Sequence, residues 1–350
     1  MAGGPYCMHV VIGGSILLGI AALIYVLCRR AREPHWLPVG TLRAINVYPL
    51  KSGAGTLVPH ARCQDLGVRY KCLTDRMFVV YDEEGKVVTA RTSPNLLRIK
   101  VLPTSPDSKV RFTTSSGRDF FDLDFTDISI VTSPISMKFP TTDTEMLHTR
   151  DCGSRAAAWI SAELEKPGVR LGFWPAGFGR DILKARSREI GVFKICNNIT
   201  GAYSNLSSFL LLNCSSVDDL VGRLGAGSTV GTDNFRGNIL VSGAQPYAED
   251  RWEKLRIGTA SFRIVKPCVR CMLVTIDPKT LVKDPNMEPL RTLKTYRQLT
   301  KPEERNIEGD SPVMGAYMGL INPGDIRVGD QVYALATEPK VKMFRLFQYF

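Results

Sequence analysis

Histidine is scarce: four in 350 residues, standing apart at positions 9, 35, 60 and 148. A histidine-built metal centre needs ligands clustered at close spacing, so this scarcity argues against one. Cysteine occurs nine times, but only Cys268 and Cys271 lie close together. With no second pair at ligand spacing, a structural zinc site is disfavoured. The odd count and the scatter also argue against a secreted disulfide framework, and the compartment reads as reducing. Three glycosylation sequons, starting at Asn198, Asn205 and Asn213, are then chance. Basic runs interleaved with aromatics, zinc-finger spacing and RNA-binding signatures are missing, which leaves no nucleic-acid partner to expect. Regular βα alternation is missing too. The glycine-rich Gly222–Gly231 follows a helical pattern and lacks Gly-Lys-Ser/Thr, so Rossmann and P-loop chemistry are set aside in favour of a plain loop.

What the chain does have is the composition of a folded protein, 44% hydrophobic and 23% charged, with a formal net charge of +11. Such an excess suits an anionic membrane surface, an acidic protein partner or an anionic cofactor. From Val10 to Leu27 every residue is apolar or small. As a helix this run would span about 27 Å, close to the hydrocarbon thickness of a bilayer. No Lys or Arg precedes it, and Arg29, Arg30 and Arg32 follow it. That asymmetry predicts a single-pass anchor, not a cleaved signal, with the body in the cytosol. The outer mitochondrial membrane and the endoplasmic reticulum are both compatible with it.

Beyond a Pro-containing linker (29–40), β-favouring runs dominate. Leu42–Tyr48 ends at Pro49, and Met77–Tyr81, an Asp-Glu-Glu-Gly turn and Lys86–Thr89 read as a hairpin. Further strands are expected at Leu97–Leu102, Val110–Thr113, Phe120–Phe125, Ile128–Val131, Asn238–Ser242, Lys254–Ile257, Ala260–Val265, Met272–Ile276 and Gln331–Ala334. Helices are expected at Ser154–Glu165 and Ser216–Leu224, each opening near a serine that could cap it. Many strands and few helices predict an α+β fold with a barrel-like or strongly bent sheet. The pattern divides into an anchor (1–28), the linker, an N-terminal β domain (41–180), a C-terminal domain (185–337) and a basic, aromatic tail (338–350).

Chemistry concentrates at Lys266-Pro-Cys268-Val-Arg-Cys271. A thioredoxin-type dithiol wants Cys-x-x-Cys opening a helix, whereas here β-branched runs on both sides predict a strand-turn-strand bend. A single thiolate donating to a soft transition metal is the third reading, with Lys266 and Arg270 favouring the deprotonated form. Two inert buried cysteines are the fourth.

Beyond these residues the chain carries Val47-Tyr-Pro-Leu-Lys51-Ser52, Thr74-Asp-Arg76, Val88-Thr-Ala-Arg91, Tyr203-Ser-Asn205-Leu206-Ser207, Asn234-Phe-Arg236-Gly-Asn238, Tyr247–Trp252, Cys268-Val269-Arg270-Cys271, Asn322-Pro-Gly and Val328-Gly-Asp330. In this order they resemble the MOSC-domain proteins, named after the C-terminal domain of molybdenum cofactor sulfurase. Among these the chain is most similar to the membrane-bound animal branch, the mitochondrial amidoxime reducing components. The resemblance implies a MOSC-type β-barrel domain with an N-terminal β-rich domain, behind one transmembrane helix. It implies a molybdenum–molybdopterin cofactor with Cys271 as sole protein ligand of the metal. Lys51, Ser52, Arg76, Arg236, Asn238, Arg270 and Tyr317 would hold the cofactor, and Leu206, Ser207 and Val269 would line the same pocket. The activity implied is reduction of amidoximes, hydroxylamines and N-oxides, a form of nitrogen metabolism and detoxification, with Asn205 beside the reacting centre. Electrons would come from cytochrome b5 and its NADH-dependent reductase, at the cytosolic face of the mitochondrial outer membrane; endoplasmic reticulum or peroxisome are the alternative membranes. Two departures stand out: family members carry Asp at the position of Asn205 and Thr at that of Leu206, and an amide cannot exchange a proton near neutral pH. Val269 also replaces a small polar residue. A persulfide sulfurtransferase, or a cofactor carrier without activity, is the rival reading.

Overall fold

The computed structural model describes residues 36–114, 119–137, 144–174 and 201–336, with Arg180, Ile182, Arg186, Arg188, Glu189 and Gly191–Phe193 between them. The expected anchor, the tail 338–350 and most of the expected boundary near 177–184 lie outside the described residues. Among those described, no helix is long and apolar enough to cross a membrane.

Seven strands close on themselves. They are β1 (Leu37–Val47), β2 (Phe209–Asn213), β3 (Ile239–Ser242), β4 (Trp252–Ile257), β5 (Ala260–Val269), β6 (Val313–Asn322) and β7 (Gln331–Ala336), numbered here for the barrel alone. Their spatial order is β3-β2-β6-β5-β4-β7-β1, and β1 pairs back onto β3 (Ile45 opposite Ile239). Closure removes the unpaired edges of an open sheet. Alternate positions point inward, as the two-residue strand period requires: Leu211, Ile239, Val241, Leu255, Ile257, Phe262, Met318, Leu320 and Val332 are buried in one cluster. The opposite faces of β2 and β3 offer Leu212 and Leu240 to the helix Cys214–Leu224 through Val217 and Leu220. That helix is the crossover which the parallel pair β2–β3 demands. Gly315 (φ +71°) lets β6 pass β2 closely, since a Cβ there would lie 2.3 Å from the Leu211 carbonyl oxygen.

The N-terminal half adds a five-stranded sheet ordered Thr132–Met137, Glu145–Asp151, Arg170–Phe173, Phe78–Tyr81, Val87–Val88, and a three-stranded sheet from Lys100–Pro103, Lys109–Thr113 and Phe120–Asp124. The two halves exchange strands. Strand β1 belongs to the C-terminal barrel, while Gly324–Arg327 pairs with His60–Gln64 in a four-stranded sheet of the N-terminal half.

The expected hairpin is present, with Val80 opposite Val88. Other expectations need correction. Strand β1 starts at Leu37, inside the stretch expected as linker. Ile128–Val131 forms no strand; Ile130 and Val131 are 83% and 69% exposed, and the strand begins at Thr132. Met272–Thr275 is a 3-10 turn, closed by the Val274 N–H donating to the Cys271 carbonyl at 3.2 Å. Neither helix is capped by its serine: Gly153 precedes one without a side-chain cap, and Asn213 caps the other by accepting from the Ser215 N–H.

Phe78 ties this framework to the chemistry. Its ring is fully buried against Phe112 and Phe173, at 5.0 and 5.4 Å between centroids, and its carbonyl accepts from the Lys51 N–H at 2.8 Å. Phe78→Ala is expected to cost about 3–5 kcal/mol, read as a lower denaturation midpoint, because the closed core cannot collapse to fill the space.

Candidate functional site

Side chains from far-apart segments meet in one cleft of ≈ 970 Å³, counting the part open to solvent. Lys51, Ser52, Arg76, Asn205, Ser207, Arg236, Val269, Arg270, Cys271 and Tyr317 all line it. Leu206 and Asn238 do not. Leu206 is buried in an apolar cluster with Phe193 and Val265, and Asn238 is fully buried behind the wall.

Backbone geometry explains why the basic side chains converge. Ser52, Arg76 and Arg236 adopt φ of +66°, +48° and +55°, three of the eight non-glycine residues in this region of φ among the described residues. Left-handed backbone costs energy for such residues and concentrates at functional sites. The Arg76 N–H donates to the Tyr48 carbonyl at 2.7 Å, which folds this turn back on the end of β1.

Buried Asp75 accepts from the Tyr48 N–H at 3.0 Å and the Asn238 amide at 2.8 Å, and pairs with the Arg76 guanidinium. Asn238 in turn accepts from Arg76 at 3.1 Å. Arg76 and Arg236 both lie over the Tyr48 ring, at 5.0 and 4.4 Å, and burial pushes the Tyr48 phenol up to about 12.

The electrostatics are one-sided. Among the described residues five cations line the cleft, namely Lys51, Arg76, Arg91, Arg236 and Arg270, and no Asp or Glu does. Arg270 is buried and donates to the Met314 carbonyl at 2.9 Å and the Phe235 carbonyl at 2.8 Å. Arg236 donates one hydrogen bond, to the Gly53 carbonyl at 2.7 Å, and its buried Nη2 has no partner. Burial lowers the Arg236 guanidinium to about 10. Lys51 donates to the Tyr203 carbonyl at 2.7 Å and to the Asn205 side-chain oxygen at 2.8 Å, both neutral. Burial first, then the charges of Arg180, Arg76, Arg91 and Arg236, holds its amine well below the ordinary lysine value. A buried cation without a counter-charge is costly, so the arrangement calls for an anion.

Its sign with pH follows. The unfolded chain keeps the ordinary lysine value and the fold lowers it, so without an anion stability falls as pH drops from about 10.5 toward the lowered value. An anion would restore the ammonium. Sulfate is therefore expected to raise the melting temperature of the cofactor-free protein, and more at about pH 7 than at pH 9.5. A sulfate shift independent of pH would count against this coupling.

The two cysteines are unlike. Cys271, just past the end of β5, is exposed in the cleft. Cys268 is 2% exposed and shares a hydrogen bond with the Tyr317 hydroxyl, whose phenol is pushed well up, chiefly by burial. Lys266 does not serve the thiolate as the sequence led one to expect. It is buried, donates to Glu189 at 2.7 Å and to Glu308, and lies 4.4 Å from the Phe193 ring centroid. This network reaches the cleft through Arg186, which contacts Glu189 at 3.4 Å and donates to the Asn205 carbonyl. Sequence reasoning missed it, as it missed Thr89 and Arg91 in the lining, although Val88–Arg91 was among the matching stretches. Among the described residues no group of three or more His, Cys, Asp or Glu could hold a metal ion.

The family model for the MOSC domain matches residues 199–333, and that for the MOSC N-terminal beta barrel domain matches 39–167. The chain is 38% identical over 330 residues to mitochondrial amidoxime-reducing component 1 of Mus musculus, covering 92% of each. It belongs to the MOSC family. Component 1 of Homo sapiens is 37% identical, over 92% of this chain and 93% of the relative, and component 2 of Macaca fascicularis is 34% identical over the same shares. Within this MOSC protein the segment 39–167 supplies Lys51, Ser52, Arg76 and Arg91, and the segment 199–333 supplies Asn205 and Arg236 through Tyr317.

Proposed function

We propose that the chain is a molybdenum-cofactor-dependent reductase of N-hydroxylated compounds, among them amidoximes, hydroxylamines and N-oxides. The observation that carries this reading is the cleft itself, which among the described residues is lined by five cations, no carboxylate and one exposed cysteine. Its residues fit the cofactor: the phosphate and ring heteroatoms of a pterin want planar cationic donors, and a soft oxo-metal wants a thiolate. The names of the relatives support the substrate class.

In this reading Cys271 holds the metal, and Lys51, Ser52, Arg76, Arg236, Arg270 and Tyr317 hold the pterin. Asn238 keeps Arg76 in place. When bound, the cofactor supplies the two-electron chemistry. The chain's residues do the rest. The unpartnered Nη2 of Arg236 meets the anion. Asn205, held by Lys51 at its side chain and by Arg186 at its carbonyl, faces the substrate as a hydrogen-bonding group that keeps its protons. The two protons that accompany the two electrons, one to the nitrogen and one to the departing oxygen, have their source in water, directly or by way of Lys51. Electrons arrive from cytochrome b5 and its NADH-dependent reductase, whose acidic surface would suit the basic charge of this chain. The site of action is the cytosolic face of the mitochondrial outer membrane, reached through the N-terminal span.

The test is the full chain purified from a host that makes the cofactor, assayed for metal content, pterin fluorescence and benzamidoxime reduction with a reconstituted electron chain. About one molybdenum per chain together with turnover is expected. Protein free of molybdenum that still transfers sulfur from a persulfide would instead favour the sulfurtransferase.

A further inference from the structure

Arg91 is the cation in the cleft that the cofactor reading leaves without work. It lies just past the strand Val87–Val88, in a turn fixed by the Thr92 and Ser93 N–H groups, which donate to the Thr89 carbonyl at 3.0 and 2.9 Å. Ala90 is fully buried in the main core, while Thr89 and Arg91 on either side of it both line the cleft. The buried alanine thus pins the turn and aims its neighbours at the site.

No hydrogen bond or ion pair joins Arg91 to any described residue. It shares its partial burial with Arg76 and Arg236, but those two are already bonded, to Asp75 and to the Gly53 carbonyl. Lys51 and Arg270 are buried, and the Arg76 side chain is 14% exposed and paired with Asp75. Arg91 is only partly buried, on the same cleft as exposed Cys271 and Asn205. It stands near enough to Lys51 to disfavour a second positive charge there. A partly desolvated guanidinium with neither a hydrogen-bond partner nor a paired carboxylate among the described residues is a ready bidentate site for one.

We propose that Arg91 anchors a carboxylate on the substrate, so that the cleft favours N-hydroxylated compounds bearing an acidic group over their neutral counterparts. This rests on the reductase reading and narrows its substrate class. The cofactor takes the cations that the fold already buries or bonds, and the molecule being reduced meets Arg91.

The experiment compares benzamidoxime with 4-carboxybenzamidoxime on the cofactor-loaded full chain. The carboxylated compound should show a kcat/KM higher by about tenfold or more, as one charge-assisted contact gives. Added salt should shrink the preference. Arg91→Gln should collapse the ratio toward one, chiefly through KM for the carboxylated compound, with molybdenum content unchanged, and Arg91→Lys should recover part of it. Calorimetry gives an arm that needs no turnover and no variant: 4-carboxybenzamidine should bind the wild-type protein more tightly than benzamidine, by a similar factor. Equal affinities for the two amidines, an equal kcat/KM for the two amidoximes, or loss of molybdenum in Arg91→Gln would overturn the assignment. Failure to reduce either amidoxime would sink the reductase reading instead, and the amidine comparison would still decide whether Arg91 holds a carboxylate.

Discussion

Cys271→Ala will fold, and will emerge from a cofactor-producing host with less than about one tenth of the wild-type molybdenum and a reduction rate lower by roughly three orders of magnitude, equivalent to about 4 kcal/mol of lost barrier lowering. The fold should be spared because the Cys271 side chain is exposed and makes no structural contact as a cap. Its backbone, which closes the 3-10 turn, is unchanged by the substitution. Cys268→Ser is the matched control. It places a hydroxyl in a buried position at a cost of about 1–3 kcal/mol, yet it can still hydrogen-bond Tyr317, so it should keep the metal. Metal analysis of the two variants side by side separates a single-thiolate centre from a dithiol, because a dithiol would lose function with either.

The second large effect is on stability. Asp75→Ala is expected to cost about 3–5 kcal/mol, seen as a lower urea midpoint at constant slope, because it leaves a buried charge without its partner. One carboxylate here satisfies the Tyr48 N–H, the Asn238 amide and the Arg76 guanidinium. Removing it strands the Tyr48 N–H and leaves Arg76 without a counter-charge, while Asn238 keeps its donation to the Asn46 carbonyl at 3.1 Å. Asp75→Asn should cost less, since an amide oxygen can still accept from Tyr48. Both variants should weaken anion binding, as Arg76 and Asn238 lose the group that sets their orientation.

Much of the site was legible in the chain, because chemistry that needs a thiolate and several cations leaves unusual residue types at recognisable spacings. Lys51, Arg76, Arg236 and Arg270 do meet Cys271. Depth was not legible. Asn238 has the composition of a ligand contact and is instead the support behind Arg76, a distinction set by which way a polar side chain points. Lys266 sits two residues before Cys268 yet is neutralised by Glu189 and Glu308, which come from far along the chain. In the fold, the hairpin was readable from β-favouring runs on either side of an Asp-Glu-Glu-Gly turn, and β4 from the alternation in Leu255-Arg-Ile. Phe209–Asn213 and Val313–Asn322 were not: the first is buried at every position and shows no alternation, and the second carries glycines that weaken a strand pattern. Met272–Ile276 misled because a short apolar run reads equally well as strand or turn until its hydrogen bonds are known.

The exchange of strands between the halves has a bearing on the gene as well as the molecule. An exon boundary or a proteolytic cut between residues 174 and 201 would separate β1 from the barrel it closes, and Gly324–Arg327 from its partner strand His60–Gln64. The C-terminal product would lose the strand that closes its barrel and the N-terminal product one strand of its four-stranded sheet, and the cations would be shared out between them. Splice forms or truncations ending there should therefore be degraded as unfolded chains, and complementation by two co-expressed pieces should succeed only when they fold together.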